Sequence, residues 1–315
     1  MFGGWSSSAR AVWLLIGGTG IGVGLGLEVA PLTVMLLLAT AFAPWAAAWR
    51  DAEGTALRGA LVWGAIVLGL GIAAQVVALT ESPASGRPMS GRITYVMTTA
   101  VLAGLTSVLN ARRPGDRVWA LLMALLLVVF LIPWLEGSGR MRKADGLAVL
   151  RLDSPWTIFY GFLALAGTAN YLSTHFRAAV VLGLGLIVEY LGLRSTEWPP
   201  AWRAYCWTAA AWLFGASFWT ARLGCKRSSE PGRNEIDRIW VWFRDRWGTV
   251  WALRIAEQFN RSAAIGGWPY RLSWTGLVPV DPESDAPVVA GDRASATLRG
   301  LLRRFVRPGR LDRVE

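Results

Sequence analysis

Residues Gly59–Thr80 read GALVWGAIVLGLGIAAQVVALT, 22 residues without one charged side chain. A hydrocarbon core about 30 Å thick is crossed by roughly 17–25 helical residues, so this run has the length and composition of a transmembrane helix. Seven more stretches share its character: Ala11–Leu27, Val29–Trp49, Ile93–Leu109, Val118–Leu135, Trp156–Thr174, Ala178–Leu193 and Ala204–Ala221. Lipid cannot satisfy backbone N–H and C=O groups, so each stretch must be a helix or belong to a closed barrel. The alternation of a barrel strand is missing. The chain therefore reads as an all-α membrane protein: a bundle of about eight transmembrane helices over 1–223, then an amphipathic, Trp- and Arg-rich C-terminal region over 224–315.

Composition agrees. Of 315 residues, 54% are hydrophobic, and 35 glycines raise the share that lipid tolerates to about 65%. Soluble domains sit nearer 45–50% by the same count. A soluble globular enzyme, a disulfide scaffold and a disordered chain are excluded. Many of the 19 tryptophans fall where spans meet water, as an aromatic belt does. Met1–Leu27 resembles a signal peptide, but a second apolar span follows at once, which favours a retained helical hairpin turning at Glu28–Pro31.

The net charge is +11, carried by arginine except at Lys143 and Lys226. Positive loops and anionic headgroups account for this better than nucleic acid does. With an even number of spans both termini share a side, and cytoplasmic termini place eleven basic loop residues inside against eight outside. The expected location is a bacterial cytoplasmic membrane, multi-pass.

In the C-terminal region, Asn234 caps a helix expected over 235–264, ended by Gly266-Gly267-Trp268-Pro269. Ile236, Trp240, Phe243, Trp247, Trp251, Ile255 and Phe259 step by three or four residues along one face. Tyr270–Val280 alternates weakly, as a short strand does. A basic amphipathic helix is expected over Ala296–Arg307, with Leu298, Leu301, Leu302 and Phe305 opposite Arg299, Arg303, Arg304 and Arg307. The aromatic face and Arg299, Arg303 and Arg304 are candidates for binding a membrane surface with anionic lipid headgroups. The same face could instead pack with 270–280 as a subdomain, docking a protein partner through 235–280. Basic residues among aromatics also suit single-stranded nucleic acid, but the small net charge there argues against it.

Few residues point to chemistry. Gly17–Gly22 resembles a dinucleotide fingerprint without the required strand or acid; Gly18, Gly22 and Gly26 instead form a small-residue packing face. Glu189 is the single ionisable side chain in an apolar span, a candidate for ion coupling or for an interfacial pair. His175, the one histidine, lies with Asn170 and Arg177 about a turn of the chain, a second candidate ligand set. Cys206 and Cys225 have no metal-ligand spacing, and neither metal nor cofactor is expected. The leading functional expectation is a non-catalytic scaffold or assembly subunit whose C-terminal region recruits a partner or lies on the membrane. A small-solute transporter using Glu189 is the alternative, and a membrane enzyme using Cys206 or His175 is third.

Overall fold

The computed structural model describes residues 7–26, 28–85, 87–109, 111, 117–140, 150, 152–176, 178–194, 198–225, 234–281 and 292–312. Eleven α-helices hold 82% of these residues. They are α1 (Ser7–Leu25), α2 (Ala30–Asp51), α3 (Arg58–Thr80), α4 (Pro88–Leu109), α5 (Arg117–Arg140), α6 (Ser154–Leu172), α7 (Ala178–Arg194), α8 (Pro200–Cys225), α9 (Glu235–Ile265), α10 (Asp292–Leu302) and α11 (Pro308–Leu311). A hairpin of β1 (Tyr270–Leu272) and β2 (Leu277–Pro279) follows α9.

α1–α8 lie one on each apolar stretch. Among the described residues α2, α3 and α4 are long and apolar enough to cross a membrane, as a membrane protein requires. The apolar parts of α1 and α5 are shorter, Ala11–Leu25 and Ala124–Leu135, and α7 has 17 residues. Sequence neighbours pack as hairpins, α2 on α3, α3 on α4, and α7 on α8, while α2 also meets α8 and closes the bundle. Leu38, Leu68, Met97, Leu186, Trp207 and Phe214 fill its core. The outer faces stay apolar: Leu14, Ile158, Phe162 and Leu165 are 66–76% exposed, a surface suited to lipid rather than water.

Local chemistry explains how polar residues fit these helices. Thr94, Thr98, Thr157 and Thr168 each donate their hydroxyl to the carbonyl four residues back, which meets these hydroxyls within their own helices. The Glu81 carboxylate accepts the Met89 and Ser90 N–H groups (2.8 and 2.9 Å), supplying the negative charge that the start of α4 favours. Pro31, at the end of the expected Glu28–Pro31 turn, sits in the first turn of α2, where its missing N–H costs nothing.

The C-terminal region departs from expectation at three places. α9 begins at its Asn234 cap, whose side chain accepts from Asp237 N (2.8 Å), but it is broken at Gly248 (φ 78°, ψ −176°). The alternating segment is a hairpin rather than one strand, with Asn260 bonding Leu272 N and O (2.6 and 3.0 Å) and Asp237 accepting from Leu277 N (2.7 Å). Helix α10 starts and stops earlier than Ala296–Arg307. The chain after it bridges to the α2–α3 connection, Val306 pairing with Thr55, Ala56 N donating to Phe305 O and Arg307 N to Gly54 O (both 2.9 Å).

The aromatic stripe of α9 faces inward. Trp240, Phe243 and Trp247 are fully buried and Trp251 nearly so, against Leu298, Leu302 and Phe305. These side chains form a core and not a membrane or partner surface, because α10 and the 303–306 turn cover the face that the sequence leaves apolar. Phe305 meets Phe243, Trp247 and Trp251 edge-on at 5.1, 5.9 and 5.1 Å. Replacing Phe305 by Ala should cost about 3–5 kcal/mol of stability in this region, as for a buried aromatic. Chemical denaturation of the detergent-solubilised protein followed by tryptophan fluorescence would measure it.

Candidate functional site

The C-terminal region docks on one end of the bundle, and the break at Gly248 sits in the seam. An interrupted helix leaves a carbonyl and an amide without intrahelical partners. Asn170, nearly fully buried near the end of α6, supplies both: its Nδ2 donates to Trp247 O (3.3 Å) and its Oδ1 accepts from Val250 N (3.0 Å). A side-chain amide thus stands where a peptide group would. A Cβ on Gly248 would lie 2.3 Å from Asn170 Nδ2, and its φ of 78° strains any other residue.

Around that plug the seam is closed by further bonds. Tyr171 OH donates to Arg246 O (3.2 Å), and the Ser173 and Thr249 hydroxyls meet at 2.6 Å. Trp247 and Trp251 donate their indole N–H to Ala111 O (3.3 Å) and Leu109 O (3.0 Å), so tryptophans of α9 satisfy carbonyls at the end of α4. Trp274 Nε1 donates to Ser173 O (3.0 Å).

His175 faces Arg244 and Asp245 here. The buried Arg244 donates through Nε to Asp245 Oδ1 (2.9 Å) and through Nη1 to Trp274 O (2.7 Å), with its guanidinium over the Trp274 ring at 5.1 Å. Its Nη2 lies 2.9 Å from His175 Nδ1, and Asp245 Oδ2 lies 3.3 Å from the same nitrogen. With Nδ1 unprotonated, His175 accepts a hydrogen bond from Arg244 Nη2. Arg244, Asp245 and Gly248 were not singled out from the sequence. The available signal was a glycine inside an aromatic helical run, where glycine weakens a helix unless the backbone needs it.

The expected ligand set is therefore divided. Asn170 and His175 share the seam, while Arg177 lies outside the described residues. Glu189 is fully buried farther along α7, about 16 Å from its first residue by helical rise. Neither Glu189 oxygen has a hydrogen-bond partner among the described residues, and Tyr95, Tyr160 and Cys206 lie within electrostatic reach. Cys206 packs beside Gly192, at the end of α7 remote from His175, so the two cannot act as nucleophile and base. The side chain of Cys225 lies outside the described residues.

Other candidates take structural places. Arg299 bridges Glu235 (2.5 Å) and Asp312 (2.7 Å), and Arg303 and Arg304 are exposed. Of the three packing glycines, Gly22 lies against Thr33 of α2, Gly18 has open space beside it, and Gly26 follows α1 with φ 151°. Gly20, on the neighbouring face, is the one that packs against α8, through Trp212. Among the described residues no group of three or more His, Cys, Asp or Glu could hold a metal ion.

A cavity of about 310 Å³ runs from the seam into the bundle between α2, α3, α4, α7 and α8. His175, Asp245 and Arg246 line its seam end. No family model, curated protein or solved structure matches the chain.

Substituting Asn170 by Ala leaves the Trp247 carbonyl and the Val250 amide unmet, at a cost of about 1–3 kcal/mol each. Amide exchange at Val250 should then rise at least about tenfold while exchange within α3 stays unchanged, read by hydrogen–deuterium exchange mass spectrometry.

Proposed function

We propose that α1–α8 all cross a cytoplasmic membrane with both termini on the cytoplasmic side. In this reading the protein is a non-catalytic scaffold whose C-terminal cap rests on anionic lipid headgroups. The observation that carries it is the attachment of 305–307 to the α2–α3 connection by backbone hydrogen bonds. That attachment sets the exposed Arg303, Arg304 and Arg307 beside the bundle end that also carries Arg50, Arg58 and Arg222. Basic residues gathered at one membrane face mark the cytoplasmic side and attract anionic lipid. Val250 and Leu253, exposed on α9 just past its break, and the exposed Leu172 of α6 extend the apolar outer surface onto the cap. The exposed side of α9 around Arg254 and Arg261 remains open to a protein partner.

Alkaline carbonate should leave the full-length protein in the membrane pellet. Reversing the three arginines (R303E, R304E and R307E together) should lower co-purification of phosphatidylglycerol several-fold in native mass spectrometry, with phosphatidylcholine unaffected. Unchanged phosphatidylglycerol would count against headgroup binding, and recovery in the carbonate supernatant would overturn the membrane reading itself.

A second reading, small-solute transport, is favoured by the buried Glu189 carboxyl, because ionisable groups in spans usually serve a pathway. Glu189→Gln keeps the side-chain volume and removes the titratable proton. For a transporter, proteoliposome flux should fall at least about tenfold with the melting temperature preserved; unaltered flux would remove the role.

A further inference from the structure

We infer that the cavity between the bundle and the cap binds one hydrocarbon chain carrying a phosphate head group. Its interior is made by Trp63, Val101, Leu105, Ala179, Leu182 and Phe218, from α3, α4, α7 and α8, with scarcely a polar atom among them. Its charged residues, Asp51, His175, Arg222, Asp245 and Arg246, belong to the ends of α2 and α8, the α6–α7 connection and the cap. An apolar well with charge confined to its rim is complementary to an amphiphile and to neither a small polar solute nor a plain hydrocarbon. A volume near the lower end of the usual range of about 300–1,000 Å³ admits one chain rather than two.

The rim argues for the head group. Asp245 pairs through Oδ1 with Arg244 at 2.8 Å, and its Oδ2 lies 3.3 Å from His175 Nδ1. Asp51 meets Arg222 only at 3.9 Å, both half-exposed, an arrangement that contributes little and yields readily to a better anion. Arg222 and Arg246 stand on two elements, the latter over the Trp242 ring at 4.9 Å and donating through Nη1 to Trp242 O at a long 3.5 Å, and His175, whose Nδ1 meets Arg244, stands on a third. Guanidinium groups form paired hydrogen bonds to phosphate or carboxylate. Donors from three separate elements suit the three terminal oxygens of a phosphate monoester better than the two of a carboxylate. The bilayer would supply such a ligand, so the inference rests on membrane embedding for its source but not for its geometry.

The test uses the full-length protein in nanodiscs of zwitterionic lipid and hexadecyl phosphate bearing a mid-chain diazirine. Photolabelling should fall on peptides covering 100–108 and 178–182, which line the cavity. Unlabelled hexadecyl phosphate should compete it away, whereas hexadecanol and palmitate at equal concentration should not. R222E, a change at a half-exposed side chain, and A60F, which fills the well, should each reduce labelling at least about tenfold, with melting temperatures showing that both variants fold. Absence of label at these peptides, equal competition by hexadecanol or palmitate, or wild-type labelling of both variants would overturn the assignment. Carbonate extraction is read separately, so failure of this site and failure of the membrane reading are distinguishable.

Discussion

One side chain completing the backbone of another helix sets the relation between the two parts of this protein. α9 cannot pass Gly248 as a regular helix, and its interruption exposes a carbonyl and an amide inside a seam without room for compensation by chance. Asn170 presents the same donor and acceptor as a peptide group and fills both. Because unmet backbone groups in a buried place cost far more than a matched pair gains, the C-terminal region is fixed in one position. The indoles of Trp247 and Trp251 add the converse favour, closing the carbonyl end of α4.

That fixed position gives the molecule two polar places of different character. At the seam, Arg244 and Asp245 form an ion pair beside His175, in which Arg244 is matched by Asp245, Trp274 and His175 while Asp245 Oδ2 is left without a hydrogen bond among the described residues. At the other end of α7, Glu189 lies in the bundle core with neither oxygen hydrogen-bonded among the described residues. The two differ in cost: paired charges stabilise a junction, whereas an unpaired carboxyl in a low-dielectric core is costly and persists only for a reason. The cavity belongs to the first place, since its charged rim is shared between the bundle ends and the cap.

The stretches that become α1–α8 were legible as helices because each is a long apolar run, and in α2, α3 and α4 the length and composition also suffice to cross a membrane independently of their neighbours. The Asn234 cap was legible for a similar reason: capping is decided within four residues. The aromatic stripe of α9 was visible as periodicity, yet its destination was not. Periodicity says that one face seeks an apolar environment, and a bilayer, a partner and Phe305 all satisfy that demand. Arg299 shows the same ambiguity, for its basic character suits headgroups equally well, yet Glu235 and Asp312 lie on either side of it.

By itself the sequence determined that most of this chain forms helices with lipid-compatible faces, where those helices lie, and that a polar-rimmed aromatic region follows them. These properties follow from local hydrophobicity, periodicity and capping. Only the tertiary structure decided that the aromatic region folds back on the bundle, that Asn170 meets the Trp247 carbonyl beside Gly248 across 77 residues, and that His175 is parted from Glu189 and Cys206. Such pairings depend on which surfaces meet in space, and a hydrogen-bonding side chain carries no mark in the sequence of the distant group it will satisfy.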